Sequence, residues 1–377
     1  MRIPLSSPDI TEQDIAAVTA VLRTSSLSLG PKLLEFEHSL SRYLGAGDVI
    51  AVHSGTSALH LCIRALGISD GDEVIVPSFT FIAVANAVRY ERATPVFVDI
   101  ESQTLNLDPA LLEGAITPRT RAIIVVHTFG CPSELSSILR IARRHGLFVI
   151  EDACEAVGAE YDGQKVGALG DAGVFGFYPN KQITTGEGGA VVTNNSEIAC
   201  KVRKLRNQGR DDSEDWFQHT ELGYNYRISD INCALGIEQL KRIDSILDKR
   251  EAVARAYGRI LGADPDLILP PIALPHRKIS WFVYVVRLSG RFGLVQRDWI
   301  FHEMKLRGIA LGRYFAPIHL QPIYRLTDEE KGNLSVTEFH ASRALALPFF
   351  NRIREEEIKE VCGTLVELIR SMGSPNV

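Results

Sequence analysis

The chain has 377 residues, 45% of them hydrophobic and 23% charged, which is the composition of a globular protein with one large and one smaller folding unit. Its formal net charge of −5, with both signs interspersed, argues against the basic stripe of a nucleic-acid binder. No apolar run approaches the roughly 20 residues that span a bilayer, and Met1-Arg2-Ile3-Pro4-Leu5 lacks the apolar core of a signal peptide, so no membrane partner is expected.

In chain order, residues 10–22 and 32–43 carry apolar side chains at helical spacing, with the loop 25–31 between them. A strand–helix rhythm follows. Strands are predicted at 49–52, 73–76, 95–100, 122–126, 148–151, 173–177 and 190–193. Helices are predicted at 57–66, 81–90, 108–115 and 135–145. Apolar strands alternating with helices indicate an α/β sheet covered on both faces. Ligands in such sheets sit beyond the strand C-termini. Here those ends carry Thr56, Ser78, His127, Asp152 and the segment 178–181. Residues 228–261 read as one long helical stretch, and the proline-rich 265–275 as a linker. A second unit follows, with a strand at 281–288, a helix at 298–307, an extended piece at 346–348 and a terminal helix at 355–371. The boundary is placed near residue 250, dividing 1–250 from 251–377. The cysteines, Cys62, Cys131, Cys154, Cys200, Cys233 and Cys362, show no CxxC spacing. They read as buried free thiols in a reducing cytoplasm.

Three stretches carry chemistry. His53-Ser54-Gly55-Thr56-Ser57 joins a strand to a helix start. It is either an ordinary Ser/Thr cap or an anion site built from free N–H groups and hydroxyls. Val149-Ile150-Glu151-Asp152 puts acids at the end of an apolar strand. Asp152 is either a helix cap or the partner of a cationic ring nitrogen. In Phe175-Gly176-Phe177-Tyr178-Pro179-Asn180-Lys181, a buried strand stops and one lysine follows, ahead of Thr184-Thr185-Gly186-Glu187-Gly188-Gly189. A lone lysine there is most often a solvated loop residue, but a lysine on a rigid support also suits a Schiff-base amine. Taken together and in this order, the three stretches match the anchors of pyridoxal 5′-phosphate (PLP): phosphate, ring nitrogen and aldehyde. No GxxxxGK[ST], GxGxxG, HExxH or Cys/His cluster is present, so no nucleoside triphosphate, Rossmann or metal site is expected.

Ser54-Gly55-Thr56-Ser57-Ala58-Leu59, Pro77-Ser78-Phe79-Thr80-Phe81, Glu151-Asp152-Ala153, the Lys181 to Gly189 stretch and Gly223-Tyr224-Asn225-Tyr226-Arg227 together resemble the DegT/DnrJ/EryC1/StrS family. The resemblance runs from about Leu5 to Phe349. It implies a PLP-dependent aminotransferase of nucleotide-linked keto sugars with the aspartate aminotransferase type I fold. That fold has a large domain with a mixed, mostly parallel sheet flanked by helices, and a smaller C-terminal α+β domain. It implies Lys181 as the amine that bonds the cofactor aldehyde and, once freed, moves the proton. It implies Asp152 on the pyridine nitrogen, Phe81 on the ring face and Gly55, Thr56 and Ser57 at the phosphate. Glu155 would lie near the phenolic oxygen. Asn225 would reach the cofactor phosphate of a second subunit, so a homodimer with shared sites is implied, as is L-glutamate as amino donor. Two positions depart from the family pattern. Gly176 stands where Ser is common, and Tyr178, a further cofactor-site candidate, stands where His is frequent. Arg313, Tyr314 and His319 are candidates for contact with the nucleotide sugar, against the plainer readings of a surface loop and a satisfied polar group. Arg210 is undecided between the same two kinds of role. His127 reads as a satisfied polar group. Relatives that dehydrate sugars carry His in place of the lysine, so Lys181 disfavours that reaction. A non-catalytic regulatory role is disfavoured by the intact catalytic set.

Overall fold

The computed structural model describes residues 1–211, 218–324 and 333–372. Its strands, in chain order, are β1 (Asp48–Val52), β2 (Glu73–Pro77), β3 (Thr94–Val98), β4 (Thr120–Val126), β5 (Phe148–Asp152), β6 (Glu160–Tyr161), β7 (Gln164–Lys165), β8 (Ala172–Gly176), β9 (Gly189–Thr193), β10 (Leu267–Ile268), β11 (Arg277–Lys278), β12 (Tyr284–Leu288) and β13 (Ala344–Leu347). Seven of them form one sheet in the order β1-β9-β8-β5-β4-β2-β3. Five are parallel, and β9 runs antiparallel to both its neighbours, β8 and β1. Two reversals leave β1 pointing the same way as β8. The segments that follow β1, β2, β4, β5 and β8 therefore emerge at one edge.

Side chains alternate across the sheet. Val49 and Ala51 face a core made with helices Pro31–Leu44, Leu135–His145 and Asp230–Lys241. Ile50 and Val52 face the opposite core, made with helices Gly55–Ala65, Ala83–Tyr90 and Ser196–Arg206. Burial on both faces is why these strands read as continuous apolar runs. A separate antiparallel sheet, β10-β12-β13, packs with helices Ile243–Leu261, Leu294–Leu306 and Glu355–Met372 around Tyr257, Tyr284, Ile300 and Leu365. This is the type I aminotransferase architecture with a smaller α+β unit.

Several boundaries differ from expectation. The stretch 228–261 is two helices broken at Arg242 (φ −109°, ψ 9°). The Arg242 guanidinium is drawn to the carbonyl of Asp9 and the carboxylate of Asp14, a long-range pull invisible to periodicity. Residue 250 lies inside the second of these helices. The proline-rich stretch contains β10, and the helix expected from 81 starts at Ala83. Helix Ser196–Arg206 went unforeseen, although Asn195 caps it by accepting from the Glu197 and Ile198 N–H groups. Cys200 lies on its solvent side and is exposed, and Cys154 is only partly buried, against the expectation of buried thiols. None of the described helices is long and apolar enough to cross a membrane.

Glu151 shows how the strand ends are fixed. Alternation on β5 turns it away from Asp152 and into full burial. Its Oε2 accepts from the Gly167 N–H (2.8 Å), and its Oε1 from the Leu169 and Gly170 N–H groups (2.7 Å each). The Ser133 N–H donates to His127 Nδ1, so His127 Nε2 carries a proton and donates to Glu151 (3.0 Å). Burial alone would raise the Glu151 pKa, but the bonds from His127 and the loop N–H groups outweigh it and hold it below the ordinary carboxylate value. A pKa depressed by folding contributes stability above the unfolded value of about 4.3, and that contribution is lost as pH falls through the folded value. Glu151→Gln sets an NH2 group against donors and is expected to cost about 2–4 kcal/mol at pH 7. Urea denaturation should show the gap to the parent protein narrowing below about pH 4.

Candidate active site

The site lies where the sheet edge meets three loops. Behind β1, Ser54 Oγ accepts from the Ser57 N–H (3.1 Å), while Ser57 Oγ donates to the Ser54 carbonyl (2.7 Å). This reciprocal cap starts helix Gly55–Ala65. Ser57 is buried and its hydroxyl is spent inside the cap. Gly55 and Thr56 line the cleft, at the first turn of the helix, where N–H groups have no intrahelical partner and the helix end is positive.

The loops are pressed together backbone to backbone. A Cβ on Gly189 would stand 2.5 Å from the carbonyl carbon and oxygen of Ser54 and 2.7 Å from the Gly55 nitrogen. A Cβ on Gly55 would meet Cys154 Sγ at 2.8 Å, and one on Gly176 would meet Cys154 Cβ and Sγ at 3.3 Å. The serine expected at 176 from the family pattern would crowd this thiol. Burial and the neighbouring Asp152 carboxylate push the Cys154 thiol well above its ordinary pKa, so it stays protonated.

Asp152, at the end of β5, is 8% exposed and accepts from the Cys154 N–H through Oδ1 (3.0 Å). Beyond β8 the chain makes a tight loop. Lys181 N–H donates to the Tyr178 carbonyl, Phe177 N–H to Gly188 and Thr185 N–H to Phe177. The Lys181 side chain, 15% exposed, brings Nζ to 3.5 Å from Glu155 Oε1. On its other side, Nζ stands 4.0 Å above the centre of the Phe282 ring. Glu155 Oε2 accepts from the Phe129 N–H (2.9 Å). Burial raises the Glu155 carboxyl above its usual pKa, against the opposing pull of Lys181 and that N–H.

Gly55, Thr56, Phe81, Asp152, Glu155, Tyr178, Lys181 and Tyr314 thus share one cleft of about 510 Å³. Tyr314 OH accepts from the Asn180 amide (3.3 Å). Other predicted residues lie elsewhere. Arg313 is 59% exposed, pairs with Asp298 at 3.3 Å and lies over the Phe301 ring. His319 is buried, with Nδ1 2.6 Å from Ser78 Oγ and Nε2 3.2 Å from Glu338, and does not line the cleft. Asn225 is exposed and does not line the cleft, while its neighbours Tyr224 and Tyr226 stack on each other beside His60. Among the cleft residues that sequence reasoning missed are Cys154, Phe282 and Phe315. The last two come from the C-terminal unit and carried no local signal. Among the described residues no cluster of His, Cys, Asp or Glu could hold a metal ion.

An amine beside a carboxyl, a buried carboxylate and a positive helix end around one cleft can hold a flat ligand with an aldehyde, a cationic nitrogen and an anionic tail. Residues 8–366 match the DegT/DnrJ/EryC1/StrS aminotransferase family. The chain is 42% identical to GDP-perosamine synthase of Caulobacter vibrioides, over 98% of each chain. It shares a fold with Helicobacter pylori PseC, an aminotransferase involved in the biosynthesis of pseudoaminic acid (TM-score 0.93, 30% identity, 98% of this chain and 100% of that one). It also shares a fold with S. venezuelae DesV, solved in complex with a ketimine intermediate (TM-score 0.89, 36% identity, 97% and 98%). Sequence, fold and cleft agree, and the chain belongs to the DegT/DnrJ/EryC1/StrS family of PLP-dependent aminotransferases.

Proposed function

We propose that this enzyme moves an amino group from L-glutamate to the keto carbon, C4 or C3, of a nucleoside-diphosphate-linked deoxy sugar. The convergence of Lys181, Asp152 and the start of helix Gly55–Ala65 on one cleft carries the reading. The likeness to a GDP-perosamine synthase supports the substrate class.

The residues fit the cofactor. Gly189 lies against the Ser54–Gly55 backbone and Gly188 against Thr185, where any side chain would collide. Gly55 and Thr56 would hold the phosphate with backbone N–H groups, and Thr56 adds a hydroxyl. Asp152 would hold the ring nitrogen in its protonated form, Phe81 and Tyr178 would border the ring, and Glu155 would lie by its phenolic oxygen. When bound, the cofactor supplies an electron sink that lets a proton leave the carbon bearing the amino group. Lys181 Nζ is the base placed to take that proton and to return it, with the Glu155 carboxyl at 3.5 Å as its neighbour. Phe282, over which Nζ lies, and Tyr314 and Phe315 line the cleft on the side of the C-terminal unit.

In this reading residues 1–250 hold the cofactor, and residues 251–377 form the smaller unit that walls the cleft. Asn225 is exposed and does not line its own cleft, which supports a homodimer in which it serves the partner's phosphate. We place the enzyme in the cytoplasm, in keeping with six free cysteines.

Lys181→Ala should abolish both the visible band of the bound cofactor and turnover. Borohydride reduction and peptide mapping should find the label on Lys181, and an unlabelled lysine would overturn the assignment. The pyridoxamine form, offered uridine, thymidine and guanosine diphosphate keto sugars, should aminate one nucleotide class in preference. Gly189→Ala should weaken cofactor binding at least about tenfold in equilibrium dialysis, because the added methyl must displace the Ser54–Gly55 backbone. Asn225→Ala should lose most turnover as a dimer. Reassorted with Lys181→Ala subunits, it should regain roughly a quarter of parental activity, since half the dimers then carry one complete shared site. No recovery would argue for sites built from single chains.

A further inference from the structure

Phe282 is 1% exposed and would pass for an ordinary core aromatic. Its position says more. One face of the ring is turned to Lys181 Nζ at 4.0 Å, and it reaches there from the segment leading into β12. That segment is held in a costly conformation. Trp281 has φ 49° and Phe129, opposite it, has φ 59°, both in the left-handed region that aromatic residues avoid. The two are tied together: the Phe282 N–H donates to the Phe129 carbonyl (3.1 Å) and the Ser280 N–H to the Gly130 carbonyl (3.0 Å). Phe129 in turn donates its N–H to Glu155. Both close neighbours of the lysine nitrogen, the Glu155 carboxyl and the Phe282 ring, therefore hang on one strained junction.

Arg250 locks that junction from behind. It is fully buried in helix Ile243–Leu261 and donates Nε to the Trp281 carbonyl and Nη2 to the Phe282 carbonyl, each at 2.7 Å, with Nη1 3.2 Å from Asn351 Oδ1. These partners are neutral, and burial lowers its pKa to about 9. A guanidinium buried against carbonyls is costly, and here its fork matches the carbonyls of the strained Trp281 and of Phe282 after it.

We propose that Phe282 is the platform on which Lys181 Nζ rests when it is protonated and not bonded to the cofactor, and that Arg250 is the positioning residue that keeps the ring in place. The negative face of a desolvated ring attracts an ammonium. It keeps the freed side chain within the cleft, beside the Glu155 carboxyl. The inference rests on Lys181 being the cofactor-bonding amine, as argued above.

The test uses the full chain freed of cofactor and treated with acetic anhydride, which acylates only uncharged amines. Peptide mapping follows Lys181, with Lys165, which lies over the Tyr43 ring, as the reference. Replacing Phe282 with 3,4,5-trifluorophenylalanine nearly keeps the shape but removes the negative face. Lys181 acylation should then rise about 2- to 10-fold relative to Lys165. Phe282→Tyr, which keeps the face, should leave it unchanged. Arg250→Lys, whose single nitrogen cannot serve both carbonyls in the same geometry, should raise it in the same direction. An unchanged rate in the fluorinated protein overturns the proposal, and an unchanged rate in Arg250→Lys removes Arg250 from it. Borohydride labelling separates the two levels. If Lys181 is unlabelled in the holoenzyme, the reading of the site fails. If it is labelled and fluorination has no effect, this inference alone fails.

Discussion

The site depends on one strand running backwards. β9 lies between β1 and β8 and opposes both, with Gly189 paired to Val52 on one side and to Gly176 on the other. That row puts the start of helix Gly55–Ala65 against the loop that carries Lys181. The approach is closer than any side chain allows: the sites of missing Cβ atoms on Gly188 and Gly189 overlap Thr185 and Ser54. The glycine run after the lysine is thus a packing requirement before it is a chemical one. It lets a positive helix end and a lysine nitrogen face one small volume.

The same edge shows how a strand divides two adjacent acids between structure and chemistry. Glu151 and Asp152 are neighbours in sequence and point to opposite faces of β5. Glu151 receives four donors, from His127 and from three N–H groups of the loop 167–170, and is saturated. Asp152 accepts from the Cys154 N–H and opens onto the cleft. A saturated carboxylate anchors the loop beneath the site, and the other keeps capacity for a ligand. Cys154 and Gly176 make a similar division of volume. The thiol fills the gap between Gly55 and Gly176, so position 176 carries no side chain in this protein.

Much of this was legible in the sequence because it is local. The strand that ends at Asp152, the cap at Ser54 and the lysine after Tyr178-Pro179-Asn180 each declare themselves within a few residues, and their chain order matches the order of the ligand's parts. Which hydroxyls a cap uses up, and contacts made across the chain, were not legible. Ser57 carries the hydroxyl expected of a phosphate ligand, but the reciprocal cap with Ser54 consumes it. Arg313 and His319 sit in a loop that sequence alone places near the substrate. Tyr314 enters the cleft while Arg313 turns to Asp298, and His319 is held by Ser78 and Glu338. The helix break at Arg242 has no proline or glycine to announce it, because the cause lies in Asp9 and Asp14.

The mouth of the cleft carries the last constraint. Phe81 is 60% exposed and Tyr178 is 53% exposed, while every other cleft aromatic is buried or half-buried. An aromatic side chain buries about 150–250 Å² when fully covered, so each of these rings leaves roughly 100 Å² in water, about 2–3 kcal/mol of burial unrealised at 25 cal/mol/Å². Tertiary packing has not used that surface, although Phe282 and Phe315 line the same cleft. Under the proposed function, covering those rings stabilises the bound cofactor and sugar instead of the empty fold. The cleft therefore gains affinity from surface that the isolated chain leaves exposed, and its polar anchors are left to fix orientation.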